Sequence, residues 1–170
     1  MSSQQQRYTK MRTTLSIISL SLVLFSSANP SAALTQNEIA GTWTLVSIVH
    51  EEQSGKKSTP LGEHPRGILV IGQDGRFTAV LVAQGRTPPQ NEGSMAELTQ
   101  SLIAYSATAT ISPNSGPSSL KVTLRPDVSW NPGTTGNSDD RVVTVEGNRL
   151  ILKSTSAGGS ETQVYERTSR

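Results

Sequence analysis

The stretch LKVTLR, residues 120–125, alternates apolar and polar side chains without a break. Successive side chains of an extended chain point to opposite faces, so Leu120, Val122 and Leu124 share a buried face and the charges of Lys121 and Arg125 face solvent. In a helix Val122 would lie on the side opposite Leu120 and Leu124. The stretch is therefore a half-buried strand.

The same reading extends in both directions. Residues 67–71 and 77–82 flank Gln73-Asp74-Gly75-Arg76, and Asp-Gly tolerates the positive φ angles of a type I′ turn, which predicts a hairpin. Residues 141–146 and 149–155 flank Gly147-Asn148, a second two-residue hairpin signal. Further strands are expected over 42–50, 106–112 and 161–167. One segment differs: in 94–105, SMAELTQSLIAY, Ser94 precedes Glu97 in a capping-box arrangement, and Met95, Leu98, Leu102 and Tyr105 recur at helical spacing. This predicts a single helix, packed on or across one end of the sheet. Residues 86–93 and 127–138, rich in Pro, Gly and Asn, are expected to be irregular loops.

Eight short strands with mostly hairpin connections predict an all-β fold, an eight-stranded antiparallel up-and-down barrel with one short helix. Closure removes the exposed strand edges that would template aggregation, and the interior of such a barrel holds one small ligand. A two-sheet sandwich has the same periodicity and stands as the rival architecture.

The beginning of the chain has a different character. Arg7, Lys10 and Arg12 precede the apolar run LSIISLSLVLF, residues 15–25, and Ser31-Ala32-Ala33 supplies small residues ahead of Leu34. This order is expected for a secretory signal peptide over 1–33, cut after Ala33, with a mature domain over 34–170. The apolar run is shorter than the roughly 18–20 residues of a membrane span, so no stable membrane insertion of the mature chain is expected. Met11 is an alternative start. Loss of Arg7, Lys10 and Arg12 from the 15 basic residues leaves 12 against 13 acidic ones, a formal charge of −1. A balanced domain of this kind offers little to a phosphate backbone, and nucleic acid is not an expected partner. The chain has no cysteine, which excludes disulfides, thiolate chemistry and a lipid-attachment cysteine. The expected location is the periplasm or the extracellular space.

Three groups of residues point toward a family. Gly41-Thr42-Trp43 within GTWTLVS (41–47) resembles the Gly-x-Trp signature of lipocalins and other calycin barrels, and is similar to the opening of intracellular fatty-acid-binding proteins. Val164-Tyr165-Glu166-Arg167 near the other end supplies the basic residue that, in calycins, packs over the first-strand tryptophan. The resemblance thus implies that Trp43 and Arg167 close the barrel floor. The run LGEHPRGILVIGQDGRFTAVLV (61–82), then AYSATATI (104–111), Trp130-Asn131-Pro132 and Arg141 resemble the narrower bacterial and fungal lipocalin-like domain family over nearly all of 39–167. This chain departs from these patterns in three places. Ser118-Ser119-Leu120 stands where the family usually carries a histidine pair, and Val70 or Ile71 where it often has an aromatic residue. Gln163-x-Tyr165 replaces the Arg-x-Tyr carboxylate clamp of fatty-acid-binding proteins.

The residues themselves offer little catalytic equipment. His50 and His64, beside Glu51, Glu52 and Glu63, have the makings of an acid–base pair at the barrel mouth; solvated histidines beside glutamates are the plainer reading. Asp139 and Asp140 are adjacent on a strand, so they point to opposite faces, and either Asp140 or Arg141 turns inward. There is no Gly-x-Ser-x-Gly elbow, no calcium loop, no phosphate-binding glycine loop, and no spacing for a metal site. No catalytic residue, metal or cofactor is therefore expected.

The leading expectation is an exported, non-catalytic protein that binds a small apolar or amphipathic molecule inside the barrel. After the leader the aromatic residues are Trp43, Phe77, Tyr105, Trp130 and Tyr165 alone, so small and aliphatic side chains leave interior volume. The candidate ligand-facing residues are Phe77, Tyr105, Trp130, Arg141, Gln163 and Tyr165, with Trp130 and Tyr105 at the opening. An isomerase- or cyclase-type barrel enzyme acting on an apolar substrate, and a secreted inhibitor working through the 127–138 loop, are the alternatives.

Overall fold

The computed structural model describes residues 33–114, 116 and 118–169; the expected leader therefore lies outside the described residues, apart from Ala33. A short helix α1 (Gln36–Ile39) leads into nine strands: β1 (Gly41–Glu52), β2 (Lys57–Ser58), β3 (Arg66–Ile71), β4 (Arg76–Val82), β5 (Leu102–Pro113), β6 (Ser119–Ser129), β7 (Asp139–Glu146), β8 (Arg149–Ser156) and β9 (Gly159–Ser169). Helix α2 (Glu92–Gln100) lies between β4 and β5, and a 3-10 turn (Pro132–Thr134) between β6 and β7. Each strand pairs antiparallel with its neighbour in the order β1-β3-β4-β5-β6-β7-β8-β9, and β9 pairs back onto β1. The sheet is closed, so the sandwich is excluded. The two-residue β2 is an extra piece paired with the far end of β1.

Alternation sets the interior. On β6, Leu120, Val122, Leu124 and Pro126 are buried while Lys121 and Arg125 face solvent. Trp43, Phe77, Leu69, Val143, Leu150 and Tyr165 from six other strands are fully buried and pack into the same core. This core occupies the inner face of the barrel. Two of the irregularities in strand pairing shape the wall. An extra residue in β1 between Leu45 and Ser47 bends that strand, so its start pairs with β3 and its end with β2. A second bulge sets Ser106 opposite Val128 but Ala107 opposite Pro126, leaving Asp127 unpaired. A proline without an N–H fits there, because the ladder is already interrupted.

Three local readings are corrected. Helix α2 stops at Gln100, and Tyr105 lies within β5, not at a helix end. Residues 102–105 satisfy helical spacing and strand alternation alike, and pairing of Leu102 with Val82 and Tyr105 with Ala79 decides for the strand. The helix is capped by Asn91, whose side chain accepts from the Ser94 N–H at 2.9 Å while Ser94 Oγ accepts from the Asn91 N–H at 3.1 Å. The reciprocal box is thus Asn91 with Ser94, and Ser94 with Glu97 plays no such part. No residue of α2 is buried, and Met95 is 53% exposed, so the helix stands at the rim without packing into it. The 72–75 turn is also different. Only Gly75 has positive φ, at 81°, and its N–H donates to the Gly72 carbonyl at 3.0 Å. Asp74 stays at negative φ, which makes this a type I turn followed by a glycine bulge in place of type I′.

Candidate ligand-binding site

The end of the barrel that carries α1 is sealed. Gly41 enters β1 at φ 135°, a conformation that L side chains rarely adopt. The Trp43 indole N–H donates to the Ile39 carbonyl at 2.9 Å, and the Arg167 guanidinium lies 3.9 Å above the ring centre. Arg167 also donates to the carbonyls of Ala40 (2.9 Å) and Glu38, at the C-terminal end of α1. One side chain thereby ties β9, β1 and α1 together.

The opposite end is open beside β5, β6 and the loop that joins β6 to β7. A cavity of about 350 Å³ lies there. Ile103, Ala104, Leu124 and Pro126 form its apolar wall, and Trp130, Asn131 and Thr134 overhang it. Its polar end consists of Tyr105, Asp139 and Arg141. The overhanging loop is built, not slack. Its Trp130 N–H donates to the Ala104 carbonyl (3.0 Å), the Gly136 N–H to Pro126 (2.7 Å), and the Asn131 side chain accepts from the Gly133 N–H (3.0 Å).

Period-two alternation on β7 delivers the polar end. Asp140 turns outward, to Lys121 Nζ at 3.0 Å and the Thr123 hydroxyl at 2.6 Å. Asp139 and Arg141 share the inner face: Nε of Arg141 donates to Asp139 Oδ2 at 2.8 Å, and Nη2 forms an ion pair with the same oxygen at 2.7 Å. Nη1 reaches the Tyr105 hydroxyl at 3.4 Å. The Arg141 side chain is 12% exposed. Burial is the largest influence on it and opposes the charge. Tyr105, Asp139 and Tyr165 outweigh that effect and hold the guanidinium above its ordinary pKa, so it stays protonated.

Next to this group a second polar chain is closed on itself. Tyr165 donates to Gln163 Oε1 at 2.6 Å, and Gln163 Nε2 donates to Glu161 at 2.7 Å. Burial pushes the Tyr165 phenol above its ordinary pKa, with Tyr105 adding and Arg141 opposing; it remains a neutral donor. Ladder pairing aligns Arg141 with Ser154, Ser154 with Glu161, and Glu161 with His50. His50 is thus half-buried near the open end, whereas His64 is exposed in the loop before β3.

Of the residues singled out from sequence, Tyr105, Trp130 and Arg141 line the cavity together. Gln163 and Tyr165 are buried next to it, and Phe77 is fully buried in the core; none of these three is among its lining. Sequence reasoning missed Asp139 as the inward partner of Arg141, although spacing of two on one strand carries that signal. It also missed Ile103, Leu124 and Pro126 as the wall. Among the described residues, no group of three His, Asp or Glu converges to hold a metal ion, and no helix is long and apolar enough to cross a membrane.

A model of the lipocalin-like domain family matches residues 40–168. The chain belongs to that family. The lipocalin-like domain accounts for the closed barrel. A solved structure described as "As-p18, an extracellular fatty acid binding protein" is similar at 14% identity and a TM-score of 0.36, over 76% of this chain and 95% of that one. No curated protein matches the chain.

Proposed function

We propose that this lipocalin-like protein is exported and carries a small apolar or amphipathic molecule without transforming it. The ligand sits against Ile103, Leu124 and Pro126 beneath Trp130, with its polar group toward Tyr105 and Arg141. The observation that supports this reading is the cavity of about 350 Å³ with an apolar wall and one polar end. That volume falls at the lower end of small-molecule sites, which combine apolar burial with a few orienting polar groups. It corresponds to roughly a dozen water-sized groups, hence to a compact ligand. Phe77, Gln163 and Tyr165 act on the ligand indirectly, by setting the shape and polarity of the surface beneath it. Residues 1–33 serve as the leader, and the mature protein over 34–170 works in the periplasm or outside the cell.

Expression of the full chain tests both parts. The exported protein is expected to begin at Leu34, read by mass spectrometry of its N-terminus. Organic extraction of the purified protein is expected to release a bound apolar compound, and apolar probes are expected to change Trp130 fluorescence and raise the melting temperature. A Trp130→Phe variant separates that signal from Trp43. If no apolar probe alters either readout, the carrier reading is wrong.

A further inference from the structure

We infer that the cavity selects uncharged amphiphiles, such as an alcohol, aldehyde or ketone of about ten non-hydrogen atoms, and discriminates against free carboxylates, because Asp139 already neutralises Arg141. This rests on the carrier reading above and adds the chemical class of its ligand.

Among the described residues the guanidinium is the only cation lining the cavity. Two of its three nitrogens are committed to one Asp139 oxygen at 2.7–2.8 Å, and the third faces the Tyr105 hydroxyl. A ligand carboxylate would either displace Asp139, leaving that charge unpaired beside an apolar wall, or crowd a second anion against the same cation. Both are unfavourable at a guanidinium that is only 12% exposed, even though the Asp139 carboxylate keeps 41% of its surface in water. Glu161, aligned with Arg141 through Ser154 on the same row, adds negative charge, and its bonded partner is the neutral Gln163.

A second observation agrees. Every buried side-chain nitrogen and oxygen among the described residues already has a hydrogen-bond partner. A pocket built for an anion keeps donors aimed at the place the anion will take, whereas this interior is already paired. What it offers is the Tyr105 hydroxyl, which receives from Arg141 and still has its own proton to give. A ligand carbonyl or hydroxyl oxygen accepts that proton without disturbing the ion pair. The departure of Gln163-x-Tyr165 from a carboxylate-clamping pair has the same consequence: Gln163 carries no charge, and Tyr165 is already spent on it.

The experiment compares decan-1-ol with decanoate, by isothermal titration of the mature protein at pH 8, where decanoate is ionised. Decan-1-ol is expected to bind at least tenfold more tightly. An apolar pocket of any kind disfavours a carboxylate, so two variants isolate the ion pair. Asp139→Asn is expected to shrink the ratio at least tenfold by releasing Arg141, and Arg141→Gln, which leaves Asp139 alone, to widen it. Opposite changes from two neighbouring substitutions are not produced by general loosening of the fold. Decanoate binding the unaltered protein as tightly as decan-1-ol overturns the inference while leaving the carrier intact. A ratio unchanged in Asp139→Asn also overturns it. If neither compound binds, the carrier reading falls, and this inference with it.

Discussion

Arg167 shows how much a single side chain holds in place. Its N–H groups close off two carbonyls of α1, its charge covers the Trp43 ring, and its backbone N–H donates to Asn148 at 2.9 Å in the β7–β8 turn. A desolvated cation–π contact contributes up to about 2 kcal/mol, and a hydrogen bond about 1 kcal/mol. Arg167→Ala is therefore expected to destabilise the barrel by about 2–4 kcal/mol in urea unfolding. Arg167→Lys should recover only part, since an ammonium does not present the planar fork that meets two carbonyls and a ring at once. Both partners were legible in the sequence, through Gly41-Thr42-Trp43 and the basic residue near the other end. Ile39, Ala40 and Glu38 were not, because a four-residue helix carries almost no periodic signal.

Elements differ in how far local pattern determined them. The strict alternation of 120–125 settled β6, and glycine positions settled two hairpins. Residues 102–105 fit two periods at once, and only pairing with β4 resolves them. The cavity depends on the bulge at Pro126 and Asp127, which the sequence shows as nothing more than a proline in a strand. That bulge is strapped from outside: Arg76 on β4 donates to both Asp127 oxygens at 2.9 and 3.0 Å, and to Ser106 on β5 at 2.9 Å. The hydrogen bond from Arg76 holds the Asp127 carboxyl below its ordinary pKa, and the Thr123 hydroxyl does the same for Asp140. A carboxylate whose folded pKa is depressed stabilises the fold above its unfolded value, and this contribution disappears as pH falls through the folded value. Asp127→Asn is thus expected to lower the melting temperature slightly at pH 7, with the gap to the unaltered protein closing below about pH 4. A gap that persists undiminished in acid would assign the effect to something other than the ion pair.

For the molecule as a whole, one closed sheet around one core predicts a single cooperative unfolding transition, in which fluorescence and far-ultraviolet dichroism coincide. Its contacts join strands distant in sequence, so refolding is expected in milliseconds to seconds, slower than helical domains of similar size. Stopped-flow refolding from urea measures this directly. The pairing that completes the barrel sets Trp43 opposite Arg167, and it has a consequence in time. Chains are synthesised at about 5–20 residues per second, so Arg167 is made roughly 6–25 seconds after Trp43. Throughout that interval β1 lacks its partner β9, and the face of its indole that Arg167 covers is bare. The half-made chain is a sticky, open ribbon for seconds. A holding chaperone has that whole window in which to bind it, and release becomes safe only when the last strand arrives.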